Sequence, residues 1–355
     1  MDQWTSGGFH VNSSWIEAVN LIVVKKKKQK EKNSQQNSTY YDYEVATIER
    51  EGIPFVSAEE GVLERQKTAT SRRRHLPAAN LHEADFAAEW RPIIGHSVVE
   101  RFEKSFELQN QDSFPNSAPQ LFTSENITWK SAQAKVSPEN SQLLLPPQLA
   151  LRVAALRCLF VELGVLLVAS TSDTTTSSSA IVDRWRSTVA EDPSAFLRLF
   201  QQEQQPFLRP RLSEGDNLLF EWWNWLTPTT VGRSPRYDTL FYLVVLEDEN
   251  SSQCTATTKT LSSNPIAWNS PDDLFSLYSR HSFLLSPTQL YELLRVSSHP
   301  WADWLRSFAR QREERHGIQR WIPLVALYSD GTISYLPGTL VIEVAVNCSA
   351  ADAVQ

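Results

Sequence analysis

The sequence predicts an α/β protein built on a mixed sheet with helices packed on it. Three observations carry that expectation. Four runs rich in β-branched and aromatic residues, at 15–24, 41–50, 218–228 and 237–246, read as strands. Stretches with helix start signals follow at 149–164, from 271, at 286–296 and at 300–315. The two kinds of segment alternate, as they do when helices cover a sheet. With 355 residues the chain is long enough for one large domain. We read 1–345 as that domain, with polar insertions at 25–39 and 52–140, and 346–355 as a disordered tail.

The first run, WIEAVNLIVV, ends in an apolar, β-branched stretch, and YDYEVATIER at 41–50 alternates in character. Between them KKKKQKEKNSQQNST is polar and of low complexity, which makes it the solvated tip of a hairpin; a phosphate-binding or nuclear-localisation patch is the functional alternative. From 52 to 140 the pattern weakens, RRRH at 72–75 apart, and 103–142 is rich in Gln, Asn, Ser and Pro, so this region is expected to decorate the surface. Pro146-Pro147 opens the helix at 149–164, and Gly164 is placed to stop it. The most apolar stretch, Leu149–Val168, carries Arg152, Arg157 and Glu162 and reads as a buried helix, not a membrane span. A Ser/Thr linker at Thr171–Ser179 leads to two helical pieces broken at Pro193. Ser270 followed by Pro271 is an N-cap with proline in the first helical position. Near the end, Asp330-Gly331 between apolar runs predicts a hairpin.

Composition excludes several classes. A net charge of −7 and a pI near 5.6 argue against a general nucleic-acid binder. The three cysteines, Cys158, Cys254 and Cys348, form no CxxC pair and fit a reducing compartment. The opening residues lack an apolar core for a secretory signal, the final Ala353-Val354-Gln355 is not a peroxisomal tripeptide, and no membrane partner is expected. Twelve Trp predict aromatic clusters in the core.

The chemistry-bearing segment is RCLFVELGV at 157–165, in which Arg157, Glu162, Gly164 and Val165 keep fixed offsets. It resembles the helix of the Nudix box, REUXEEXGU with U apolar. WWNWLTP at 222–228, RSPRYDTLFYL at 233–243, WNSPDDL at 268–274 and WIPLVALYSDGTISYLPG at 321–338 follow in the order found in the nucleoside diphosphate-linked moiety X motif 19 branch of that family. The resemblance implies a Nudix α/β/α sandwich with extra C-terminal helices. It also implies Mg²⁺- or Mn²⁺-dependent hydrolysis of a CoA- or nucleotide-type diphosphate, in mitochondria or peroxisomes. Hard cations gripping a pyrophosphate require carboxylates on one helix face.

The sequence departs from the family pattern where that chemistry resides. Cys158 and Val161 stand where the resemblance expects glutamates, and only Glu162 remains. The Gly-Gly turn is missing from LPAANLHEAD at 76–85, and Ser262 falls where a downstream Glu is expected. By resemblance, Glu162 is the surviving catalytic and metal-binding residue and Arg157 its orienter; an ion pair between the two is the structural reading. Arg233 and Arg236 are the candidate phosphate contacts, with an Arg236–Asp238 ion pair as the alternative. Glu83 and Asp85 are possible recruited acids, His75 and His82 lie near the same loop, and Cys158 is expected in the core. Two functions follow: a metal-dependent acyl-CoA diphosphatase, or a binding member with weak or lost catalysis and possibly no metal. The second predicts apolar surroundings for Cys158 and Val161.

Overall fold

The computed structural model describes residues 15–27, 40–50, 73–111, 126–135, 144–169, 178–202, 209–210, 219–227, 236–246, 254–256, 266–280, 285–316, 319–328 and 331–335. In chain order, β1 (Trp15–Lys26), β2 (Tyr43–Arg50), β3 (Arg73–His75) and β4 (Ala78–Asn80) precede a 3₁₀ turn at Glu83–Phe86. Then come α1 (Trp90–Ile94), α2 (His96–Gln111), α3 (Ile127–Lys135), α4 (Pro147–Leu163), β5 (Val165–Ala169), α5 (Ser178–Glu191), α6 (Ala195–Gln202) and β6 (Arg209–Pro210). The remainder is β7 (Leu219–Leu226), β8 (Arg236–Leu246), β9 (Cys254–Ala256), β10 (Ile266–Asn269), α7 (Pro271–Ser279), α8 (Pro287–Ser297), α9 (Ala302–His316), β11 (Arg320–Trp321), β12 (Leu324–Tyr328) and β13 (Gly331–Tyr335).

The main sheet runs β10-β2-β1-β8-β7-β11, with β3 also paired to β2 and β4 to β1. It is mixed, as predicted: β1 and β8 are parallel from Trp15↔Arg236 to Lys25↔Leu246, β7 and β8 antiparallel. A central strand buried on both faces needs apolar residues in sequence, and β1 is buried without interruption from Glu17 to Val24. Val19, Leu21 and Val23 join Leu240, Tyr242 and Val244 in one core, under α4 and the segments before it. Ile22 and Val24 join Phe241, Leu243 and Val245 in the other, under α8 and α9. The result is an α/β/α sandwich. Each fully buried Val, Leu or Ile contributes about 1.5–3 kcal/mol to it.

Local signals were reliable where they rest on backbone chemistry. Ser270 caps α7 by accepting from the Asp273 amide, and Ser286 with Gln289 forms a capping box on α8. The two helices flank Pro193 as expected. In the last hairpin Tyr328 pairs with Gly331, so the glycine opens β13.

Two expectations change. The apolar stretch Leu149–Val168 is not one helix: Gly164 takes a left-handed φ of 68°, ends α4, and β-branched Val165 starts β5. The region 52–140 is not surface decoration throughout, because Phe86, Trp90, Ile94, Val99 and Ala132 are part of the α4-side core. Its polar composition hid the few large residues that do the packing. The Lys-rich tip beyond Lys27 and the linker before Ser178 lie outside the described residues.

The aromatic clusters predicted from the Trp count lie on both faces: Trp90 meets Phe196 and Phe200 on the α4 side, and a larger Trp cluster lies on the α8–α9 side. A bulge between Glu221 and Trp223 turns Trp222 and Trp223 to the same side. Trp222 and Trp225 both donate indole N–H to the buried Glu292 carboxylate, at 2.6 and 2.7 Å, and Arg295 stacks over Trp223 at 3.6 Å. Along the outer side of β7, Arg152 and Arg312 donate to the carbonyls of Leu219 and Glu221, which occupies acceptors an added strand would use.

Candidate functional site

Helix α4 carries the box resemblance, and every residue from Pro147 to Phe160 is buried. A helix buried all round must find partners for each polar side chain it carries. Arg157 donates through Nε and Nη2 to the two oxygens of Asp85, at 3.0 and 2.7 Å, and to the Asn80 carbonyl at 2.9 Å. Asp85 also accepts from the His82 amide at 2.8 Å, while the His82 ring accepts from the Ala84 amide. The 3₁₀ turn is thereby capped and bolted to α4 by one buried, bidentate pair. Burial works against the Arg157 charge, but Asp85 outweighs it and holds the guanidinium above its usual pKa.

This corrects the expected partner of Arg157, which is Asp85 and not Glu162. The reason is helical geometry: five residues correspond to about 140° of rotation, so the two side chains leave α4 in different directions. Asp85 is consumed in that pair. Glu83, the other acid offered by the loop, accepts from Ser131 and Lys135 on α3, and the Lys135 hydrogen bond holds its pKa below the ordinary value.

The metal-binding face of the box is mostly apolar. Cys158 is 1% exposed within the α4-side core, as its composition predicted, and Val161 packs partly buried against the same core. Glu162 is half-buried at the last turn. Its backbone carbonyl and that of Val161 accept from Arg186 of α5 at 2.7 and 2.8 Å. That guanidinium satisfies carbonyls left open at a helix end and sets its charge against the negative end of the dipole. Among the described residues no three His, Cys, Asp or Glu side chains stand together as a metal ion would need. One carboxylate, a buried thiol and an isopropyl group do not fit Mg²⁺ or Mn²⁺, which take hard oxygen ligands.

Of the predicted phosphate contacts, Arg233 lies outside the described residues, as does Ser262. Arg236 opens β8, buried, its guanidinium 4.4 Å from the Trp15 ring centre. Asp238 accepts from Arg320, Asn224 and Asn126, at 2.5, 2.7 and 3.0 Å, and burial pushes its carboxyl above the usual range despite Arg320.

Two functional-looking residues escaped the sequence reading. Arg186 follows a Ser/Thr run and carries no motif; nothing in the sequence points to it. Arg152 had a usable signal. A helix with two arginines in an apolar setting needs acids from elsewhere, and Arg152 finds Glu221 and Glu313, at 2.9 and 2.6 Å from one nitrogen.

A mixed sheet between helical layers, with a box-like helix pinned by Arg157, defines an α/β/α protein of Nudix type. The family described as NUDT19 Nudix domain matches residues 15–296, most of the chain, and the chain belongs to that family. Acyl-coenzyme A diphosphatase NUDT19 of Xenopus laevis is 27% identical over 277 residues, covering 74% of this chain and 65% of that protein. The protein of the same name from Gallus gallus is 33% identical over 215 residues, covering 55% and 52%. The chain thus spans between about half and two thirds of the curated relatives it matches. The crystal structure of NUDIX hydrolase from Alicyclobacillus acidocaldarius aligns with 83% of this chain and 96% of that one, at 15% identity and a TM-score of 0.40.

Proposed function

We propose that this chain is a binding member of its family that takes a CoA- or nucleotide-type diphosphate with weak or lost hydrolysis. One observation carries the reading. The face of α4 where the family pattern places three acids keeps one of them, Glu162, with Cys158 in the core and Val161 packed on it, while the nearby Asp85 is spent on Arg157. Glu162 is the residue on which any remaining metal binding or catalysis depends. Arg157 anchors the loop, and Arg233 and Arg236 meet the ligand's phosphates.

The relatives' printed activity and the retained Glu162 support a second reading, an active Mg²⁺- or Mn²⁺-dependent acyl-CoA diphosphatase. One experiment separates the two. The purified full chain is incubated with CoA and either metal, and products are resolved by chromatography. We expect no phosphopantetheine release, no metal-dependent rise in Tm, and a Tm rise with CoA alone. Turnover that disappears in Glu162→Gln would overturn the proposal.

A further inference from the structure

We infer that α3 is a strap that lifts off the sheet as a unit and so uncovers Arg236, the phosphate contact proposed above. What it admits rests on that reading; that it moves does not. Arg236 is 6% exposed, so no phosphate reaches its guanidinium unless a neighbouring element moves. Beside it on the α4 side of the sheet lie Trp15, whose ring centre is 4.4 Å from the guanidinium, and Asp238, two residues along β8. Asn126, at the head of α3, engages both. Its backbone bridges to Trp15, and its side-chain amide donates to Asp238 at 3.0 Å. Among the described residues α3 is the helix that closes on this corner of the sheet.

The attachment of α3 is mostly polar. Of its nine residues Ala132 alone is buried, Trp129 packs partly buried on Phe86, and Ile127 is 46% exposed. A helix of that length is not stable by itself in water. Three carboxyl groups from three other elements hold it. Glu17 of β1 accepts from the Thr128 and Trp129 amides at 3.0 and 2.8 Å, Asp238 of β8 accepts from Asn126, and Glu83 of the 3₁₀ turn accepts from Ser131 and Lys135. Glu17 and Asp238 are partners across the parallel β1–β8 pair, 1% and 5% exposed. Burying two carboxyl groups side by side is costly. Lifting α3 returns water to both, which offsets the hydrogen bonds lost. Asp238 keeps Asn224 and Arg320 when Asn126 leaves, so the sheet stays intact. Helix α4, buried from Pro147 to Phe160, has no such compensation. Segments with few buried apolar contacts open at free energies well below that of global unfolding.

The test is hydrogen exchange of the full chain, read by mass spectrometry, alongside labelling of Arg236 by phenylglyoxal. We expect the amides of 127–135 to exchange about a hundredfold or more faster than those of α4. Ser131→Ala with Lys135→Ala removes the Glu83 contact without touching the sheet. It should speed both the exchange of α3 and the labelling of Arg236 about tenfold, with α4 unchanged. Glu17→Gln weakens the grip on the first amides and should act in the same direction. An α3 that exchanges as slowly as α4 overturns the inference, and so does Arg236 labelling that ignores the variants. CoA then separates the two proposals. Slower Arg236 labelling with CoA supports both, whereas labelling that follows α3 but is unchanged by CoA supports the strap and overturns the ligand reading.

Discussion

Arg152 and Arg157 sit on the same buried helix, five residues apart, yet they solve the burial of a positive charge in opposite ways. Arg157 takes one carboxylate, from a turn that adjoins α4, and forms a closed pair in which Asp85 accepts three hydrogen bonds. Arg152 shares one nitrogen between two carboxylates, Glu221 of β7 and Glu313 of α9. The first contact fixes a loop. The second reaches around the end of β7 and ties the two helical layers together. Acids are therefore abundant along α4, but they serve its arginines, whereas the box positions 158 and 161 have none. The lesson is that a carboxylate near a catalytic-type helix says little until its hydrogen bonds are counted.

The largest test of that contrast is Asp85→Ala. It strands a buried guanidinium, and we expect a loss of about 3–5 kcal/mol, measured by urea unfolding. Adding Arg157→Met should restore most of that loss, because the uncompensated charge goes with it. A single-variant loss below about 1 kcal/mol would mean that water reaches the pair. Arg152→Met should cost less, about 2–3 kcal/mol, because Glu221 and Glu313 keep some access to solvent.

Val161→Glu probes the other half of the comparison. The site is only partly buried, so we expect a cost of about 1 kcal/mol, together with a Mn²⁺-dependent rise in Tm that we do not expect of the natural chain. No such rise would mean that two acids on α4 are still too few.

The smallest effect is a pH dependence. Burial raises the Glu313 pKa, with Arg152 opposing. A carboxyl raised on folding favours the folded state below its unfolded pKa, and that contribution is lost as pH rises through the folded value. Stability of the natural chain should therefore fall relative to Glu313→Gln as pH rises from acid toward neutrality. Parallel melting curves at a series of pH values check it, and curves that keep a constant spacing would refute it.

Much of the fold was legible because its signals are local. β-branched runs, Pro147, Ser270 and Gly164 act through backbone chemistry within a few residues. The region 52–140 was misread for the converse reason: Phe86, Trp90 and Val99 are sparse among polar neighbours, and only their distant contacts make them core. At the candidate site, Cys158 was correctly placed from its neighbours, while Arg157 was paired with the wrong acid because sequence proximity was taken over helical direction.

By itself the sequence determined the α/β class, the strands at 15–24, 41–50, 218–228 and 237–246 and the helices at 149–164 and after Ser270, while the acids missing at positions 158 and 161 came from the resemblance to the Nudix box. The class and the elements follow from side-chain type and from spacing along one segment. Only the tertiary structure decided which acid meets which arginine and that part of a polar-looking region is core. Each of those depends on residues tens to hundreds of positions apart, whose meeting is set by sheet order and layer packing and by no local energy term.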